Sequence, residues 1–187
     1  MCIRDRGGSG LGRDIGYGDW YVDFSDGNRI NQYDNALATI RNATAHTDID
    51  GDGQPDQLVP AGIVWMQGET DAGYLESANE YRENLKRMMN LLRAALRMDD
   101  LPVVIGKITD SGRAEDGSMM DYIGIVQEAQ EAFVKADACA AFVTITDELD
   151  YPPTDAWHYD SEGFVRLGTA FAEAALELEA SCGSRSR

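Results

Sequence analysis

From residue 61 onward, short apolar runs alternate with longer segments in which apolar residues recur every three or four positions. Ala61-Gly62-Ile63-Val64-Trp65-Met66 is the first run, and Tyr81, Leu85, Met88, Met89, Leu92 and Leu96 follow it within Glu76 to Met98. An unbroken apolar run predicts a strand buried on both faces, and the spacing after it predicts an amphipathic helix. The alternation returns with Pro102 to Ile108 and a helix near Met119 to Lys135, then with Ala140 to Thr146 and a helix from Ser161 to Ala180. Three such units predict a parallel sheet covered by helices on both faces, because parallel strands need crossover connections. Before them, Asn35 to Arg41 reads as a short helix, and Asp48 to Pro60, rich in Asp and Gly, as a polar loop. Glu173, Glu177 and Glu179 read as a solvated helix face, and Met88 and Met89 as core.

Composition narrows the class of partner. With 187 residues, 43% of them hydrophobic, one domain with a sizeable core is expected. Its 33 acidic against 16 basic residues give a formal charge of -17. That field repels phosphate backbones and anionic headgroups, so neither nucleic acid nor a membrane surface is an expected partner. No apolar run approaches the roughly 20 residues of a membrane-spanning helix. The opening, residues 1–6, has no cap, periodicity or apolar core of a signal peptide, and it reads as a non-native leader. The expected domain is 7–182, followed by a tail over 183–187.

Three cysteines, Cys2, Cys139 and Cys182, are too few and too scattered for a metal site or a disulfide framework. One pairing is geometrically sensible in an oxidising compartment. Cys139 precedes a strand and Cys182 follows the helix that returns antiparallel to it, so both fall at one end of the sheet.

Ligands of open parallel sheets bind beyond the carboxyl ends of the strands, which directs attention to the loops there. The first strand runs into Trp65-Met66-Gln67-Gly68-Glu69-Thr70-Asp71, and the third leads to Asp155-Ala156-Trp157-His158. An Asp three residues before a His can hold the imidazole through Nδ1–H and leave Nε2 free as a base. A helix-capping Asp beside a surface His has the same spacing. Taken alone the capping reading is the commoner, and the position after a parallel strand and before a closing helix narrows the difference.

Trp65-Met66-Gln67-Gly68-Glu69-Thr70-Asp71-Ala72, with Asp155-Ala156-Trp157-His158-Tyr159-Asp160-Ser161-Glu162-Gly163 downstream, resembles the sialate O-acetylesterase and acetylxylan esterase branch of the SGNH (GDSL-type) hydrolases. The resemblance runs from Gly7 onward. It implies a three-layer α/β/α sandwich with a parallel, flavodoxin-like sheet, and hydrolysis of O-acetyl esters on a sugar by a Ser-His-Asp triad. By the match, His158 is the general base, Asp155 its orienting partner and Gln67 a side-chain donor to the oxyanion. Gly7, with Gly8 as the alternative, would offer a backbone donor. Glu69 is expected to turn away from the oxyanion and brace its loop, or to contact a substrate hydroxyl. Trp65 and Trp157 would wall a sugar pocket, with a core role as the alternative for Trp65. No catalytic cofactor is implied.

The family's first block, an early strand ending in a Gly-Gln-Ser-Asn-like turn, has no counterpart here. Ser9 lies in the glycine block, Ser111 follows the second strand and Ser161 opens the last helix. The chain is therefore expected to lack the nucleophile and the strand that carries it. It is expected to be inactive alone and prone to aggregate along the edge bearing Ile63 and Val64.

Asp48, Asp50, Asp52, Gln54 and Asp56 stand at alternate positions with Gly53 at the sixth, as in a calcium loop, although Val59 replaces the closing Glu. A structural calcium and an extracellular or periplasmic location are expected. Two rivals remain. One is a non-catalytic, calcium-dependent carbohydrate-binding or scaffolding domain, and the other a metal-dependent hydrolase around His158, for which zinc would lack ligands. His46, in a polar loop, reads as a surface residue.

Overall fold

The computed structural model describes residues 8–16, 18–23, 30–115 and 117–182. Three strands, β1 (Ile63–Trp65), β2 (Val103–Gly106) and β3 (Ala140–Val143), form a parallel sheet in the order β1-β2-β3. Ile63 pairs with Val103, and Val103 with Ala140. Helix α1 (Gln32–Thr44) precedes the sheet, and α2 (Leu75–Leu96), α3 (Ile123–Ala136) and α4 (Ser161–Cys182) each follow a strand. The three predicted strand–helix units are all present.

Alternation along β2 divides the core. Val103 and Ile105 pack with Tyr81, Leu85 and Met89 of α2 and Val126 and Phe133 of α3. Val104 packs with Val143 and with Leu167 and Leu178 of α4. Successive strand residues point to opposite faces, so α2 and α3 cover one face and α4 the other. Gly106 permits the second contact, because a Cβ there would lie 2.7 Å from Phe171 Cζ.

The boundaries differ from the sequence expectation for local reasons. α1 begins at Gln32 because Asn31 caps it, its side chain accepting from the Asp34 N–H at 3.0 Å. α3 starts at Ile123 and not near Met119, because the Asp110 carboxylate holds the Met119 and Met120 N–H groups at 2.8 Å in a loop. β3 stops at Val143, and the chain turns through a 3-10 segment, Ile145–Glu148.

The amino ends of the strands are clamped. Cys139 and Cys182 form a disulfide with a Cα–Cα distance of 5.8 Å. Beside it the buried Arg93 donates to the Leu101 carbonyl at 2.9 Å and pairs with Asp137 at 2.5 Å. At the other side of the sheet, no strand among the described residues pairs with the outer edge of β1, and Val64 is 57% exposed.

Candidate active site

Each strand ends in a loop at the same edge of the sheet. In the loop after β1, Gln67 is buried and its Nε2 donates to the Ser9 carbonyl at 3.0 Å and to Asp71 Oδ2 at 2.6 Å. A primary amide has two N–H bonds, so both are engaged. The opposite amide orientation would set Oε1 against two acceptors, which rules it out. Asp71 is itself fully buried and also accepts from Leu11 N at 3.0 Å, Gly12 N at 2.8 Å and Ser77 Oγ at 2.5 Å. It ties the glycine block, the Gln67 loop and the first turn of α2 together. Asp71 thus braces this loop.

The backbone of this loop is held from below. The Gln67 carbonyl accepts from the Tyr81 hydroxyl at 2.6 Å and from Gln130 Nε2 at 3.2 Å. Burial, and secondarily the Asp71 charge, pushes the Tyr81 phenol well above its usual range, so it remains a donor. Gly68 has φ +144°, and a Cβ there would come within 2.8 Å of Val126 Cγ1. Glycine is required at that bend.

In the loop after β3, His158 Nδ1 lies 2.7 Å from Asp155 Oδ2. The other carboxylate oxygen accepts from the N–H groups of Trp157 at 2.8 Å and His158 at 3.1 Å. An ionised carboxylate only accepts, so the proton sits on Nδ1 and Nε2 is left as the basic nitrogen. The Trp157 N–H, then the His158 ring, hold the Asp155 carboxyl below its usual range. Side-chain exposure is 69% for His158 and 39% for Asp155.

The loop after β2 lies between these two. Asp110 accepts from Gly112 N at 2.7 Å, from Met119 and Met120, and from Ser118 Oγ at 3.1 Å. Partial burial raises its pKa, but these donors together outweigh it and leave the carboxyl below its usual value. Thr109 Oγ1 bonds both the Tyr151 hydroxyl at 2.9 Å and the Tyr159 hydroxyl. Lys107 Nζ pairs with Asp147 at 2.7 Å.

The remaining expected residues divide. Gly7 lies outside the described residues, and Gly8 is exposed with φ +87°. Trp65 is 7% exposed and packs edge-on against Trp20 with ring centroids 4.9 Å apart, within the core. Trp157 is 53% exposed beside His158. Glu69 is half-buried. Asp48, Asp50 and Asp56 bring carboxylate oxygens within 4.8 Å of one another, and Asp52 falls outside that group. Asp52 instead accepts from Gln54 N at 2.8 Å. His46 is exposed, its Nδ1 at 3.0 Å from the Asn42 carbonyl. Sequence reasoning did not single out Tyr81, Thr109, Asp110, Arg113 or Gln130. Only Gln130, a polar side chain on an apolar helix face, carried a signal.

A model of the family described as carbohydrate esterase, sialic acid-specific acetylesterase, matches residues 16–177. The Arabidopsis thaliana protein named "Probable carbohydrate esterase At4g34215" is 30% identical over 115 residues, which are 61% of this chain and 39% of that protein. Its X-ray structure superposes with a TM-score of 0.57 at 22% identity, over 79% of this chain and 53% of the other, a likeness of fold. XAC1771, titled a novel carbohydrate acetylesterase from Xanthomonas citri, matches with a TM-score of 0.49 at 26% identity over 63% of this chain and 26% of that one. The chain therefore spans 39% of the curated relative's length and 53% of the solved Arabidopsis chain.

Proposed function

This chain belongs to the carbohydrate esterase, sialic acid-specific acetylesterase family, and on that premise we propose that it is part of a carbohydrate O-acetylesterase of the SGNH type. The substrate class is an O-acetylated sugar: sialic acid, xylan or a related glycan. The complete fold would be a three-layer α/β/α sandwich whose sheet continues beyond β1. The observation that carries the reading is the His158–Asp155 pair, at 2.7 Å, on the loop after the third parallel strand.

In this mechanism a serine hydroxyl outside this chain attacks the acetyl carbonyl, and His158 Nε2 takes its proton. Asp155 stabilises the imidazolium through Nδ1–H. His158 then protonates the departing sugar oxygen, and the same nitrogen activates water to release acetate from the acyl-serine. Gln67 would serve the oxyanion by exchanging one partner. Its bond to the Asp71 carboxylate, at 2.6 Å, is charge-assisted, whereas that to the Ser9 carbonyl, at 3.0 Å, joins neutral groups. The Ser9 carbonyl is the partner that gives way. Gly7, with Gly8 as the alternative, remains the candidate backbone donor.

The test compares aryl-acetate and acetyl-sugar hydrolysis by this chain and by a longer protein that includes the sequence before it. Turnover is expected only from the longer protein, with His158→Ala lowering it about 1,000-fold or more. The His158→Ala variant should fold, since His158 is exposed. Turnover by the short chain that His158→Ala abolishes would locate the nucleophile within it.

We also propose that the loop 48–56 binds calcium through Asp48, Asp50 and Asp56, whose oxygens already converge. This favours the second reading, a calcium-dependent carbohydrate-binding domain, if hydrolysis fails. A melting temperature raised by calcium and lowered by chelator supports the site, and equal values remove it. The Cys139–Cys182 bridge supports an extracellular or periplasmic location.

A further inference from the structure

We infer that Arg113, on the loop after β2, is a positioning residue that fixes the His158–Asp155 pair by gripping the backbone of residues 151–155. The inference rests on the acid–base role proposed for that pair. It starts from a mechanical problem. Residues 149–160 contain neither helix nor strand, and both members of the pair are substantially exposed. Burial cannot hold them. Their own bonds, from Asp155 N to the Pro152 carbonyl at 3.1 Å and from Trp157 and His158 N to Asp155 Oδ1, shape the turn. Those bonds do not attach it to the sheet.

Arg113 grips the turn itself, beside the Thr109 hydroxyl that bonds Tyr151 and Tyr159 on either side of it. Nη1 donates to the Pro152 carbonyl at 2.5 Å and to the Asp155 carbonyl at 3.2 Å, and Nη2 donates to the Tyr151 carbonyl. The two Nη1 partners are the ends of the turn that delivers Asp155. A planar guanidinium can span three carbonyls. A lysine ammonium, a compact point donor, cannot reproduce that fork. Arg113 is itself anchored, because Asp110 closes its loop through Gly112, Ser118, Met119 and Met120. The line of support runs from Asp110 through Arg113 and the Asp155 carbonyl to the imidazole.

The chain has only two histidines, so ring-nitrogen NMR reads His158 with His46 as an internal reference. Neutral His158 is expected as the Nδ1–H tautomer, and Asp155→Ala should convert it to Nε2–H. Arg113→Ala should cause a roughly two-fold loss of the Nδ1–H population by freeing the Asp155 backbone, without moving His46. Arg113→Lys, which keeps charge and stem, should show a similar loss, and ethylguanidinium added to Arg113→Ala should reverse it. A merely structural role would lower the melting temperature and leave the tautomer unchanged. If Asp155→Ala changes the tautomer and neither Arg113 variant does, the inference is overturned and the pair stands. If Asp155→Ala changes nothing, there is no pair to position and both ideas fall. Should Arg113→Ala fail to fold, Arg113→Lys decides by the same measurement.

Discussion

Asp71 concentrates more of the site's order than any residue the sequence marked as reactive. It is fully buried and accepts four hydrogen bonds from two backbone amides, an amide side chain and a hydroxyl. Asp71→Ala strands all four donors away from water, so a loss of about 3 kcal/mol or more is expected, read as a lower urea midpoint at unchanged slope. A change under about 0.5 kcal/mol would mean that the donors find other partners. Little of this was legible beforehand. The spacing of Asp155 and His158 sufficed to suggest their pairing, because both partners lie within one turn. Asp71 bonds Leu11 and Gly12, 60 and 59 residues away. Nothing in Gln67-Gly68-Glu69-Thr70-Asp71 says which carboxylate turns inward. Nor could sequence reveal that both Gln67 N–H bonds are already engaged.

Among the elements, β3 and α4 are joined twice, by the connecting loop at one end and by Cys139–Cys182 at the other. The bridge spans 43 residues of sequence. Closing such a loop restricts the unfolded chain by about 4 kcal/mol in the chain-entropy account. Replacing both cysteines by serine should lower the melting temperature, and adding reductant to the unmodified chain should lower it similarly. Insensitivity to reductant would show that the thiols are unpaired in solution. The strand–helix order was readable because apolar runs and helical spacing are local signals. The helix starts were less so. Met119 continues the apolar pattern into α3, yet its N–H is held by Asp110, a contact that periodicity does not encode.

At the scale of the whole molecule, no strand among the described residues pairs with the outer edge of β1, and α4 carries exposed apolar side chains. Val64 is 57% exposed on β1, while Phe164, Val165 and Leu176 of α4 are 52%, 69% and 65% exposed. Unpaired strand backbone beside apolar side chains is a template for association. The formal charge of -17 opposes it through self-repulsion. Self-association should therefore rise with added salt as the repulsion is screened. Val64→Lys should reduce it without lowering the melting temperature. Light scattering that is flat with salt, or unaffected by Val64→Lys, would place the contact elsewhere. The disulfide has another outcome. Cys139 stands at the foot of β3 and Cys182 at the end of α4, so the bridge closes a ring of chain in which Asp155 and His158 occupy the opposite pole. A ring cut once remains one piece. A protease nick in the segment before Asp155 would leave both fragments covalently joined until a reductant released them, so that segment could be opened and relabelled without detaching α4.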